Sequence, residues 1–261
     1  MSDLTLLQHV LIGLIFVWSG LVRSGLGFGG SVMALPFLLL ILDEPLVFLP
    51  IVSIHLLFFA GLTVWQNNRA TLMGGIEAEA NSTVDWQYLW KALGIMIIPK
   101  LLGVFGVIVL PNTLMTAAIY IIVGAYSLSY IFNKPLKSKS RLVDGFFLML
   151  GGYISGISLI GAPLIISVFV NHVDKHKLRD TLFVLWIILV TIKMAAFVVA
   201  GVDLQLASQL WLLPCAAVGH VIGLRIHRRL VNSDTKVFMQ VVGSALLVIS
   251  CIGLYNAWAA H

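Results

Sequence analysis

The sequence predicts an all-α integral membrane protein, and three observations carry that reading. Of 261 residues, 60% are hydrophobic and only 10% charged, with a mean hydropathy of +1.03, far from the mixed usage of soluble domains. The apolar residues fall in runs long enough to cross a hydrocarbon core about 30 Å thick, which takes roughly 20 residues of helix. The basic residues sit in short stretches between those runs.

In chain order, runs free of Asp, Glu, Lys and Arg cover residues 4–22, 24–42, 45–68, 101–133, 145–172, 204–224 and 237–261. Two more are each broken by one lysine: 92–133 contains Lys100, and 181–202 contains Lys193. The start Met1-Ser2-Asp3 lacks the basic region of a cleaved signal, so the first run is expected to stay as a helix. Cys215 and Cys251 lie inside apolar runs and read as small core residues, not as a disulfide or metal pair. The net charge of +5 comes from basic residues between spans, so it reflects membrane orientation and not nucleic-acid binding.

Residues 67–88 and 133–141 read as the long loops, and Lys134, Lys137, Lys139 and Arg141 mark the second as cytoplasmic. Counting spans from it places residues 69–91, 175–179 and 225–236 inside, and Asp43-Glu44, Pro111-Asn112 and Asp203 outside. None of the 16 Lys and Arg falls outside and thirteen fall inside, leaving Arg23, Lys100 and Lys193. Both termini come out external, in what is expected to be a bacterial cytoplasmic (inner) membrane.

Two segments interrupt their spans. Residues 24–31 are too glycine-rich for helix interior, each Gly costing about 1 kcal/mol against Ala. Residues 155–163 repeat the pattern, with Pro163 where a new helix can begin. Pro99 with Gly103 resembles Pro214 with Gly219, and Gly124 resembles Gly243. The chain therefore divides into an N-terminal repeat at 1–132, a basic linker at 133–141 and a C-terminal repeat at 142–261. Each repeat is a broken or re-entrant helix pair followed by three spans, about 8–10 membrane segments in all. The odd number of crossings makes the repeats inverted, an architecture whose sites lie at the repeat interface near the midplane. Read alone, either break could instead serve close helix packing.

The stretch from Ser19-Gly20 to Pro36, with Gly25, Gly27, Gly29 and Gly30, resembles the N-terminal signature of the sulfite exporter TauE/SafE family of membrane permeases. Residues 151–163 and 214–223 fit that family's second repeat, so the resemblance spans nearly the whole chain. It implies a secondary transporter of sulfite, an organosulfonate or a related small sulfur anion. The second break carries Ser158 and Ile160 opposite Gly27 and Gly29, so the two breaks are not expected to contact substrate symmetrically.

Among individual residues, Lys100 and Lys193 stand too deep to reach the interface easily. An ammonium there costs about 2.5–3.5 kcal/mol and needs a cavity or a partner. With no carboxylate in the membrane segments except Asp144 at an inner end, either a bound anion or the carbonyls of a helix break can serve. Arg23 abuts the first break and can fork onto an oxyanion, or it is an inner-surface arginine. The amides at Gly29, Gly30 and Ser31, with Gly27 before them, and those at Gly161 and Ala162 open short helices whose N-termini favour anions. Ser158 belongs to the same break. His55 can carry a proton or donate to the anion, or be a packed imidazole; His220, nearer the inner end of its span, is the weaker candidate. His172 and His176 have metal-like spacing but no third ligand.

The expected partners are a small anion and the lipid bilayer. Proton or ion coupling and a homo-oligomer are left open, and no nucleic acid or cofactor is called for. A channel and a membrane-embedded enzyme are the rival classes. The sequence lacks a Gly-x-Ser-Gly nucleophile, a His-Glu-x-x-His motif, an intramembrane aspartate pair and a Walker motif.

Overall fold

The computed structural model describes residues 4–26, 29–73, 82–134, 136–232 and 236–259, and all its regular structure is helical. In order the helices are α1 (Leu6–Leu26), α2 (Gly30–Ile41), α3 (Pro45–Met73), α4 (Trp86–Val109), α5 (Asn112–Ile131), α6 (Arg141–Ser158), α7 (Ala162–His172), α8 (Lys175–Val199), α9 (Leu206–Asn232) and α10 (Lys236–Ala259). Seven of these are long and apolar enough to cross a membrane; α2, α6 and α7 are not. The chain is thus a multi-pass membrane protein.

Local signals set the helix ends. Asp85, Ser140 and Asp174 cap α4, α6 and α8 by accepting from Tyr88 N, Val143 N and His176 N at 2.9, 3.4 and 2.8 Å. Helix α3 runs on to Met73 and α9 to Asn232, beyond the apolar runs, so the stretch expected as loop from 67 begins as helix. Loss of hydrophobicity ends a membrane run but not a helix, because Arg, Ala, Leu and Met continue one readily.

Both breaks make hairpins. Gln8 Nε2 near the start of α1 reaches Ile41 O at the end of α2, at 3.5 Å, so α2 returns to the face from which α1 enters. His172 Nε2 at the end of α7 meets Asp144 Oδ2 in the first turn of α6 at 2.8 Å, closing the second hairpin in the same way. The two hairpins open to different faces. The second opens where Tyr88 stacks on His172 and Asp85 N donates to Thr181 Oγ1, a face carrying Lys91, Lys137, Arg141 and Lys175. The first opens where Thr116 Oγ1 bonds Asp43. We refer to these as the basic and acidic faces.

Several helix pairs pack closely. Helix α1 lies parallel to α9, and α6 lies parallel to α4, in the two closest pairings outside α5 and α10. The backbones touch there: a methyl group on Gly219 would overlap the Val17 carbonyl, and one on Gly103 the Tyr153 carbonyl. Around Gly103 lie Tyr153 O and Gly156, and around Gly223 lie Leu21 O and Gly25. Helices α5 and α10 pack antiparallel, Gly253 on Tyr120 and Gly243 on Ser127, and the end of α3 meets the start of α8 at Asn67 and Asp180. The two short helices are seated differently. Helix α2 is seated against α10 and α5, whereas α7 barely touches either, and a cavity of about 630 Å³ lies between them beside Tyr126, Ile166 and Met239.

Candidate functional site

The two breaks meet at the centre of the bundle. Ser31 Oγ, in the first turn of α2, donates to Leu159 O at 3.0 Å, and Ser19 Oγ of α1 donates to Gly30 O at 3.1 Å. Gly29 precedes α2 with φ 85°, a conformation that suits glycine. Leu159 ends α6 with φ 62°, which costs a branched side chain about 1–2 kcal/mol and is held here by the Ser31 bond.

Beside this crossing lies a cavity of about 50 Å³, several times the roughly 10–15 Å³ that one water needs. Its polar wall is Ser19, Arg23, Ser31, His55 and Ser155, and its apolar wall includes Phe16, Phe183, Trp186 and Val190. Gly29, Gly30 and Ala162 complete it, bringing the first residues of both short helices to one space. The α2 ladder begins with Met33 N to Gly29 O at 3.0 Å and the α7 ladder with Ile165 N to Gly161 O at 3.3 Å. Amides before those bonds have no partner within their helices, and the positive ends of two helix dipoles converge there.

Arg23 supplies the full charge. Its Nη1 donates to His55 O at 3.5 Å and its guanidinium lies 4.3 Å from the Phe59 ring centroid, while Nε and Nη2 are buried without a partner. Among the described residues no carboxylate forms an ion pair with Arg23. Both ring nitrogens of His55 are also buried without a partner. The Gln209 amide stands beside the imidazole outside hydrogen-bond geometry, and Phe16 packs edge-on against it at 4.8 Å. Unsatisfied buried donors cost about 1–3 kcal/mol each, more when charged, so a cluster of them beside a cavity describes a site shaped for an acceptor.

Of the residues singled out from sequence, Arg23, Gly29, Gly30, Ser31, His55 and Ala162 line this cavity. Gly27 lies outside the described residues. Ser158 Oγ turns back to Ile154 O at 3.0 Å, and Gly161 packs under the Gly151 carbonyl. Lys100 and Lys193 are fully buried behind the wall. Lys100 Nζ donates to Ser155 O at 2.9 Å and Ser155 Oγ at 3.0 Å, and Lys193 Nζ donates to Ile157 O at 3.0 Å. These carbonyls are among the last four of α6, so the ammonium groups cap the negative end of that helix.

The family model described as Sulfite exporter TauE/SafE matches residues 12–253. The chain belongs to that family. Comparison with curated proteins and with solved structures finds no match to either. The TauE/SafE match covers both hairpins, every residue named at the cavity, and all ten helices at least in part. The protein is therefore a transmembrane permease of the sulfite exporter family. Its fold also shows site neighbours that sequence reasoning passed over. Ser155 stood within a named break but was not chosen. His220, ranked low for its place near a span end, is 8% exposed and hydrogen-bonds Ser24 Oγ, as Lys100 does Ser155 on the facing pair of helices. Phe16 and Trp186 carry no sequence signal that separates them from other apolar lining.

Proposed function

We propose that this protein is a secondary transporter that moves a small anion, sulfite or an organosulfonate, across the cytoplasmic membrane by alternating access, with the anion held against Arg23. The observation that carries this reading is the guanidinium with two unpartnered nitrogens in the central cavity. An oxyanion there would accept from Nε and Nη2 in the fork geometry arginine favours, and from the amides opening α2. Lys100 and Lys193 act from behind Ser155 and Ile157, where their charge adds positive potential in a medium of low dielectric constant. His55 offers one N–H donor as the neutral imidazole and two once protonated. Substrate chemistry rests on the family, and inversion of the halves rests on hairpins opening to opposite faces. The seated α2 and the detached α7 fit a molecule closed on one face and looser on the other. No step of this reading requires catalysis.

The test is uptake of sulfite, taurine, thiosulfate and acetate into proteoliposomes, with and without a proton gradient, alongside thermal stabilisation by each anion. Saturable sulfite or sulfonate flux is expected in the wild type. Arg23→Gln should reduce flux roughly a hundredfold and abolish the ligand-induced shift. Its melting temperature without ligand should not fall, because an uncompensated buried cation has been removed. Wild-type flux in Arg23→Gln would place the anion elsewhere. Linear, non-saturating conductance would replace the transporter with a channel.

A further inference from the structure

The central cavity does not end at Arg23. A second, smaller cavity of about 10 Å³ lies beyond it toward the basic face and shares Arg23, Ala60 and Phe183 with the first. At its far side stands Arg179, four residues from the start of α8 and so about 6 Å along the helix from its basic end. Two arginines thus face one passage. Arg179 Nε is buried without a partner, as Arg23 Nε and Nη2 are. Each guanidinium lies over a phenyl ring, Arg23 at 4.3 Å from Phe59 and Arg179 at 5.4 Å from Phe183, and both rings line the small cavity.

The acid next to Arg179 in sequence makes no direct contact with its guanidinium. The Asp180 carboxylate accepts from Asn67 Nδ2 at 2.9 and 3.2 Å, from Asn68 Nδ2 at 3.4 Å and from Thr83 Oγ1, and makes no ion pair with Arg179. Uncharged donors from α3 and from the segment before α4 hold that carboxylate, so Asp180 acts on Arg179 only through space and leaves its Nε without a hydrogen-bond partner beside the passage. Thr63 and His220 form polar parts of the wall. At about 10 Å³ the space holds one water and no multi-atom anion, so the Phe183 ring must swing before an anion can pass.

We propose that Arg179 is a second anion-binding position, on the route between the central cavity and the basic face, and that Phe183 is the side chain that shuts the two positions off from each other. The anion is handed from one guanidinium to the other, which avoids stripping it of charged donors midway. This rests on the reading of Arg23 as the central site, and the test separates the two.

A single cysteine at Thr63, in protein with Cys215 and Cys251 replaced by Ser, is treated from the basic face with anionic and cationic methanethiosulfonates of similar size. The anionic reagent should react about tenfold faster, and sulfite should slow it. Arg179→Gln should erase the preference, and Arg179→Lys should keep much of it. In flux assays Arg179→Gln should lose about tenfold while keeping the sulfite-induced thermal shift, since the central site is intact. Phe183→Ala should raise Thr63→Cys reactivity and leave that shift in place. An unreactive Thr63→Cys, an equal rate for both reagents, or wild-type flux in Arg179→Gln overturns the proposal. If wild-type protein moves none of the anions and the anionic preference persists, transport fails and the Arg179 position stands.

Discussion

Lys100 and Lys193 show how a residue in one sequence context can serve two chemistries that only geometry separates. Each is a lone cation in an apolar run, and each is bonded to carbonyls at the end of α6. Because a charge-assisted hydrogen bond is worth about 1.5–3 kcal/mol, Lys100→Met and Lys193→Met should each lower stability by about that amount. A drop in melting temperature with a surviving sulfite-induced shift is the expected pattern. Loss of the shift at unchanged melting temperature would instead make the lysines direct ligands. The sequence flagged their depth correctly, because charge inside an apolar run is visible in one dimension. Which partner each found was not visible, since Ser155 and Ile157 lie 55 and 36 residues away.

At the scale of elements, stability of the bundle rests on two seams where backbones touch, α1 on α9 and α4 on α6. A side chain at Gly219 would meet Val17 O and Leu21 N, which belong to helix backbone and cannot swing aside. Overpacking a core costs about 1–3 kcal/mol where side chains adjust, and this site has no such freedom. Gly219→Val should therefore give little monodisperse protein in detergent, while Gly94→Val, with open space around it, should behave as wild type. Size-exclusion profiles of the two decide it, and equal profiles would remove the seam argument. The sequence announced the broken helices through glycine clusters and Pro163.

For the whole molecule, the two faces differ in charge in the way the loops suggest. Lys91, Lys137, Lys139, Arg141 and Lys175 sit toward one end and Asp43 toward the other, and the hairpins open to opposite ends. If the basic face is cytoplasmic, a lone cysteine at Lys137 should resist a membrane-impermeant maleimide in intact cells and react once the membrane is opened. Strong labelling in intact cells would turn the molecule over, and with it the side to which Arg179 leads. The unequal seating of α2 and α7 belongs to this scale as well, since two similar hairpins meet different neighbours once they are packed.

What the sequence alone determined was what depends on composition and short-range order: membrane residence, the two breaks and the family. Long apolar runs and glycine clusters act locally, so they read out without knowledge of what packs on them. The tertiary structure decided which charges share a space. Arg23, His55, Ser31 and Ala162 come from α1, α3, α2 and α7, and no spacing along the chain encodes their meeting at one cavity. Lys100 and Lys193 went to a helix end, Asp180 went to two asparagines and a threonine, and Arg23 was left without a counter-charge. In a medium of low dielectric constant a buried charge without a partner is costly, and only the folded arrangement determines where such a charge is left.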